Sequence, residues 1–269
     1  MYKNEPEPTG GPEFQRGLGL PLLSSSSIPA VTRAQMIEID RAAIDAYGIS
    51  LTQMMENAGF WLADLTRRLL GGSCTGRRIG VIAGRGNNGC GGLAAARRLN
   101  LWGAQVEVLL AADPADFSGV PADQLRILQR LGLAPRRFGG EPLRDQEVLI
   151  DAVIGYGLSG VPSGLPLEVI QAINLAGVPV ISLDVPSGID MDNGEAPDEA
   201  VRASATLTLA LAKVGLLTAV AAPYVGRLCL GDISIPPAAY ETLGVEWTNP
   251  FAEGPIVEII REPSSPTSR

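Results

Sequence analysis

The sequence predicts an α/β fold with a mainly parallel sheet that is covered by helices on both faces. Short runs rich in Val, Ile and Leu alternate along the chain with amphipathic segments, which is typical of parallel sheets with helical connections. Two amphipathic helices precede the first of these runs. The chain has 269 residues, of which 46% are hydrophobic and 19% charged, and this is enough to bury a sizeable core.

The two opening helices have clear boundaries. Thr32 and Gln35 match a capping box at the start of the first helix, and Gly48 ends it. The second helix is predicted from about Thr52 to Leu70, followed by two glycines. The apolar residues that share one face of the first helix are Met36, Ile39, Ala43 and Ile44.

The alternating region follows. The predicted strands are Arg78–Ala83, Gln105–Ala111, Glu147–Ile154, Val178–Leu183, Ala205–Leu211 and Leu228–Ile235, and the helices between them are Leu93–Leu101, Ala122–Leu131 and Leu167–Leu175. Residues 1–30 and 248–269 are rich in Pro, Gly and Ser and lack a periodic apolar face. We therefore expect a disordered leader, one domain over residues 31–247, and a flexible C-terminal tail.

Composition excludes several classes of function. The formal net charge of −8 argues against an extended nucleic-acid-binding surface, and the absence of histidine excludes Ser-His and Cys-His nucleophile pairs. The three cysteines are far apart and form no disulfide framework, which favours a reducing, cytoplasmic location. The longest apolar run, Ala205–Ala222, carries Lys213 near its middle, so we expect no membrane span.

Polar residues gather where three predicted strands end. Ligands of parallel α/β sheets bind outside the carboxyl ends of the strands, so these ends are the expected site. After the first strand, the pattern Gly84-x-Gly86-x-x-Gly89 leads directly into a helix, which is the context of a dinucleotide-binding turn. Asn87 and Asn88 in this turn either bind a ligand or only adopt left-handed backbone conformations.

The other two strand ends carry carboxylates. Asp151 lies in a buried run and needs a cation, hydrogen-bond donors or solvent. Asp184 and Ser187 follow the next strand and either face a ligand or form a turn that satisfies only its own backbone. Arg85 and Lys213 either reach a phosphate or are solvated. Such oxygen-rich groups suit a phosphate-bearing ligand, a hard cation and carboxylate acid–base chemistry.

These motifs, taken together, resemble the NAD(P)H-hydrate epimerase family, the YjeF N-terminal domain. The resemblance extends from about Val31 to Gly244. The blocks that carry it are Leu51–Gly59 (LTQMMENAG), Gly86–Gly92, Asp151–Gly160, Asp184–Gly194 (DVPSGIDMDNG), Lys213–Leu216, and Tyr224–Gly226 through Gly231–Ile233. Several ordered blocks at matching spacing are far more specific than any one of them.

The resemblance implies a Rossmann-like, three-layer α/β/α sandwich, often a homodimer, that interconverts the R and S hydrates of NADH and NADPH. It also implies a bound potassium ion with Asn88, Asp151 and Ser187 as ligands. The residues it places at the substrate are Asn87, Asn88, Gly89, Cys90, Gly91, Gly155, Tyr156, Gly157, Leu158, Ser159, Gly160, Val161 and Asp184. Two positions depart from the family pattern, because Gly91 replaces an aspartate and Tyr156 stands where threonine is usual.

Our mechanistic hypothesis assigns acid–base catalysis to Asp184. Two alternatives remain. The first is a catalytically silent nucleotide-sensing or scaffold domain, which Gly91 and Tyr156 favour. The second is an NAD-dependent oxidoreductase, in which Glu107 or Asp113 would bind the ribose; against it, the chain has no histidine and no tyrosine followed four residues later by lysine.

Overall fold

The predicted α/β class is confirmed by the computed structural model, which describes residues 17–157, 160–196, 199–241, 244–245 and 247–262. The strands are β1 (Leu22–Ser24), β2 (Ala30–Val31), β3 (Arg78–Ala83), β4 (Gln105–Leu110), β5 (Arg136–Arg137), β6 (Val148–Ala152), β7 (Val180–Leu183), β8 (Ala205–Leu209), β9 (Ala212–Lys213), β10 (Arg227–Gly231) and β11 (Ile256–Ile260). The helices are α1 (Arg33–Asp45), α2 (Leu51–Leu69), α3 (Asn87–Leu101), α4 (Gly119–Arg130), α5 (Leu165–Leu175), α6 (Ala222–Val225) and α7 (Pro237–Glu241).

Nine strands form the central sheet in the order β1-β11-β10-β8-β7-β6-β3-β4-β5. All pairs are parallel except β10 with β11. The two remaining strands, β2 and β9, form a small parallel sheet in which Val31 is in register with Lys213. The mainly parallel sheet predicted from the alternating pattern is therefore correct.

Side chains of alternate strand positions pack into two separate hydrophobic layers, as the pleat of a β-strand requires. In β3, Val81 belongs to the core that includes α2 and α3, while the adjacent Ile82 belongs to the core under α5. Leu149 and Ile150 of β6 divide between the two layers in the same way. The fold is thus the expected three-layer sandwich.

The ends of the sheet differ from the predicted domain limits. Leu22–Ser24 lies within the predicted leader, and Ile256–Ile260 lies within the predicted tail, yet they pair with each other as parallel strands. The second of these strands also pairs with β10. Both segments are short, and β1 is more than two hundred residues away from β11, so no local pattern reveals their pairing. The folded body therefore extends beyond residues 31–247 on both sides.

The apolar run that contains Lys213 is folded into the sheet. It comprises β8, β9 and the single turn of 3-10 helix that follows them. Among the described residues, no helix combines the length and the hydropathy needed to cross a membrane.

The sheet has a topological switch point between β3 and β6. From β3 the chain continues outward to β4 and β5, and it then returns to place β6 on the opposite side of β3. The loops after β3 and β6 consequently leave the sheet in opposite directions and open a crevice between them. Crevices of this kind are where open α/β sheets bind ligands.

Capping and glycine packing position the first helices around this crevice. Capping boxes at Thr32 and Ser50 begin α1 and α2. Helix α3 starts at Asn87, six residues earlier than predicted, because the glycine-rich stretch is itself helical. A Cβ at Gly89 would lie 1.7 Å from the carbonyl oxygen of Gly84, so this helix start can approach the β3 loop only with glycine at position 89.

We therefore expect Gly89→Ala to lower the free energy of unfolding by about 3 kcal/mol or more, because the added methyl meets backbone and not a movable side chain. Gly86→Ala is the matched control, since nothing lies within 4 Å of its added Cβ. Urea denaturation of both variants measures the difference. Equal stability of the two variants would contradict the packing argument.

Candidate active site

A cavity of about 540 Å³ opens at the carboxyl ends of the central strands. The β3 loop contributes Gly84–Asn88, the β6 loop contributes Val153–Gly157, and Asp184 follows β7. Helices α1 and α2 cover one side with Met36, Asp40 and Met54, among others. The cavity therefore lies at the predicted position.

A buried ion pair forms the floor of the cavity. Lys213 Nζ lies 2.8 Å from Asp184 Oδ1, and the two side chains are only 1% and 5% exposed. Lys213 Nζ also donates to the carbonyl oxygens of Leu209 and Leu211 at 2.6 and 3.1 Å. These partners use all three ammonium donors. The interpretation of Lys213 as a solvated side chain is therefore wrong, and its role toward a phosphate stays a prediction.

The backbone at Asp184 is held in a conformation that few residues other than glycine adopt. Its φ angle is 65°, and aspartate is among the residues that tolerate this region. The Oδ1 atom accepts weaker hydrogen bonds from Leu209 N and Thr208 Oγ1, and Oδ2 accepts one from Tyr156 N at 3.4 Å. Strained backbone of this kind is characteristic of functional positions, and here it directs a carboxylate into the cavity.

Asp151 and Ser187 form a second polar group, beneath the cavity and fully buried. Ser187 Oγ donates to Asp151 Oδ1 at 2.6 Å, and Ser187 N and Ser182 Oγ donate to Oδ2 at 2.9 and 2.8 Å. Burial raises the pKa of the Asp151 carboxyl, and these hydrogen bonds oppose that shift. No basic side chain in the described part of the chain pairs with Asp151.

Asn88 connects this group to the cavity. It lines the cavity, and a Cβ added at Gly155 would lie 3.0 Å from the Asn88 amide carbon. Ile154 N, one residue before Gly155, donates to Ser187 Oγ at 2.8 Å. The buried Asn88 Nδ2 has no hydrogen-bond partner within the described residues. The three predicted potassium ligands thus come from neighbouring elements: Asn88 from the start of α3, Asp151 from β6 and Ser187 from the loop after β7.

A second carboxylate lines the cavity from α1. Asp40 Oδ2 accepts a hydrogen bond from the phenol of Tyr156, and both side chains are partly exposed to the cavity. Burial raises the pKa of the Asp40 carboxyl, and the charge of Asp184 raises it further. The hydrogen bond from Tyr156 and the charge of Lys213 oppose this shift. Burial also raises the pKa of the Tyr156 phenol. Asp40 is not among the residues predicted from the sequence, although a carboxylate next to the apolar face of α1 was a usable signal.

The predicted substrate contacts fall into four groups. Those that line the cavity are Asn87, Asn88, Gly155, Tyr156, Gly157, Val161 and Asp184. Gly89, Cys90 and Gly91 are buried in α3 behind the cavity wall, and burial raises the pKa of the Cys90 thiol to about 12. Gly160 is exposed and is not a lining residue, while Leu158 and Ser159 lie outside the described residues. Contact of any of them with a substrate stays a prediction.

Neither of the ribose-binding acids suggested for an oxidoreductase is a lining residue of the cavity. Glu107 lies in the middle of β4, where it binds Arg136 and Gln146. Asp113 is exposed and caps a turn of 3-10 helix through Ala115 N. Arg85, in contrast, is an exposed cation that lines the cavity, so both interpretations of its role remain.

Replacing Lys213 by methionine tests the importance of the ion pair. The change leaves a buried carboxylate without its cation, so we expect the free energy of unfolding to fall by about 3–5 kcal/mol in urea denaturation. The double variant Lys213→Met/Asp184→Asn removes both charges and should recover most of that loss. A single variant within about 1 kcal/mol of the parent would show that the pair is unimportant for stability.

The amino-acid sequence is similar to a known protein family and to named relatives. The family model of the YjeF-related protein N-terminus matches residues 51–215. An NAD(P)H-hydrate epimerase of Dehalogenimonas lykanthroporepellens is 43% identical over 87% of this chain and 94% of its own length. An NAD(P)H-hydrate epimerase of Truepera radiovictrix is 37% identical over 86% of this chain and its whole length.

Two further likenesses concern domain organisation and fold. A bifunctional NAD(P)H-hydrate repair enzyme of Moorella thermoacetica is 37% identical, and the match covers 77% of this chain but only 40% of that longer protein. The crystal structure of yeast YNL200c superposes with a TM-score of 0.70 at 23% identity, over 85% of this chain and 99% of the yeast chain. This chain and the yeast chain therefore have the same fold. By the family model and by identity to full-length relatives, the chain belongs to the family of YjeF-related N-terminal domains.

Proposed function

We propose that this protein is an isomerase that interconverts the R and S hydrates of NADH and NADPH, and so takes part in nicotinamide cofactor repair. Its relatives of matching length carry the name NAD(P)H-hydrate epimerase. The observation that carries the proposal is the cavity at the switch point, where a glycine-rich loop and the carboxylate of Asp184 face the same space. A phosphate-bearing ligand and an acid–base reaction need these two features.

The chemistry of the hydrate determines what the site must do. The hydroxyl-bearing ring carbon adjoins a ring nitrogen whose lone pair can expel the hydroxyl once that oxygen is protonated. Water then adds to the other face of the resulting C=N bond and loses a proton, which inverts the centre without any redox change. In this proposal Asp184, which lies next to the Lys213 ammonium, accepts the proton of the incoming water.

Incubation of the protein with one purified hydrate epimer tests the proposal. We expect the other epimer to appear, by chromatography, faster than in buffer alone, with no change in nicotinamide oxidation state. Asp184→Asn should lower kcat about 100-fold or more, because the amide cannot accept the proton. Asp123→Asn, at a side chain 56% exposed on α4, is the matched control.

The same assay separates the rival functions. A wild-type rate equal to that in buffer would contradict the proposed epimerase and favour the silent nucleotide-sensing domain. A change in nicotinamide absorbance with a second substrate would favour the oxidoreductase. Wild-type activity in Asp184→Asn would remove that residue from the mechanism.

We further propose that a potassium ion binds beside the cavity, with Asn88, Asp151 and Ser187 as its ligands. The side chains suit such an ion: the Asp151 carboxylate has only uncharged donors among the described residues, and Asn88 and Ser187 carry the amide and hydroxyl oxygens that hard cations prefer. Bound there, the cation would compensate the Asp151 charge and fix the β3 and β6 loops. Among the described residues, no group of three or more His, Cys, Asp or Glu could hold a metal.

Thermal unfolding in matched KCl, NaCl and choline chloride tests the ion site. We expect the highest midpoint in KCl, because an ion that binds only the folded state stabilises it. Asp151→Asn should remove the difference between salts. The exposed Asp116→Asn should preserve it. Equal midpoints of the wild type in all three salts would contradict potassium binding.

A homodimer and a cytoplasmic location complete the proposal. The dimer is supported by the family resemblance, and α1 presents the partly exposed apolar side chains of Ile37 and Ile44. The location is supported by three free cysteines, all of them buried.

A further inference from the structure

Inversion through water loss needs a proton donor as well as a proton acceptor. The hydroxyl leaves from one face of the ring, and water adds to the opposite face, so the two proton transfers occur on opposite sides. Asp184, whose Oδ1 lies 2.8 Å from the Lys213 ammonium, is the acceptor in the proposed function. A donor must therefore lie elsewhere on the cavity wall.

Tyr156 connects Asp184 to such a group. Its backbone N–H donates to Asp184 Oδ2 at 3.4 Å, and its phenol donates to Asp40 Oδ2. The two carboxylates are thus held at the two ends of one tyrosine residue. All three residues line the same cavity, and Asp40 comes from α1 while Asp184 comes from the sheet.

We propose that Asp40 is a second catalytic residue of this site, which protonates the leaving hydroxyl, and that Tyr156 is the residue that positions it. The inference rests on the proposed epimerase function. Tyr156, at a position where the family pattern has threonine, thereby acquires a role specific to this chain.

The proton balance closes with one exchange through solvent, because after each turnover Asp184 gives its proton to water and Asp40 takes one back. The Asp40 carboxyl gives its proton to the ring hydroxyl, the C–O bond breaks, and water leaves as the ring nitrogen forms a C=N bond. Water then adds from the face of Asp184, the electron pair returns to nitrogen, and Asp184 takes the released proton. In the reverse direction Asp184 is the donor and Asp40 the acceptor.

The surroundings of Asp40 suit it to carry a proton. Burial is the largest influence and raises its pKa, as does the Asp184 charge, while the Tyr156 hydrogen bond and the Lys213 charge lower it. The net shift is upward, so the protonated form persists at higher pH than for an ordinary aspartate. Because the donor must be protonated, kcat/KM is expected to fall as pH rises through the Asp40 pKa.

The pH profile of kcat/KM for one purified hydrate epimer, measured on the full chain, tests this inference. Asp40→Asn should lower kcat about 100-fold and remove the descending limb. Tyr156→Phe should move that limb to higher pH, because the hydrogen bond that stabilises the ionised carboxylate is lost. Asp45→Asn, the same change at a 62% exposed side chain of α1, should match the wild type.

The outcomes are distinguishable. An active wild type with unchanged rate and profile in Asp40→Asn overturns this inference alone and leaves the proposed function intact. If Asp40→Asn has a lower rate but keeps the descending limb, the role of Asp40 is only structural, and the inference is also overturned. If Asp40→Asn does not fold, the Tyr156→Phe variant decides. A descending limb of its kcat/KM profile at the same pH as in the wild type also overturns this inference. An inactive wild type overturns both proposals.

Discussion

The arrangement of this site depends on the buried ion pair between Asp184 and Lys213. The pair joins the end of β7 to β9, and β9 is in register with β2, two residues before α1 begins. Because α1 carries Asp40, this pair fixes the relative position of both carboxylates of the proposed mechanism. Two charges in so buried a place are stable only together, which makes the contact a strict geometric constraint.

The topology of the sheet opens the cavity next to this ion pair. The order of β6, β3 and β4 makes the loops after β3 and β6 diverge, and close glycine contacts keep both loops near the sheet. A Cβ at Gly84 would lie 2.0 Å from the carbonyl oxygen of Val153, so these two loops meet at their bases. The cavity between them is consequently built from rigid, tightly packed elements, as positioning of a reacting group requires.

Much of the site was predictable because parallel strands place their carboxyl ends at one edge. Asp151, Asp184 and Ser187 each follow an apolar run, and the rule of strand ends predicted that they would lie together. Lys213 and Asp40 were not predictable in this way. Their roles arise from contacts between segments far apart in sequence, and a lysine within an apolar run does not reveal its partner. The pairing of β1 with β11 escaped prediction for the same reason.

The most direct test is a crystal structure, with a bound hydrate, of the double variant Lys213→Met/Asp184→Asn, which removes both charges of the buried pair. We expect the hydrated ring to lie between residue 184 and the Asp40–Tyr156 pair, with its hydroxyl within hydrogen-bonding distance of one of them. A ring bound outside this space, or a hydroxyl that faces neither group, would contradict it.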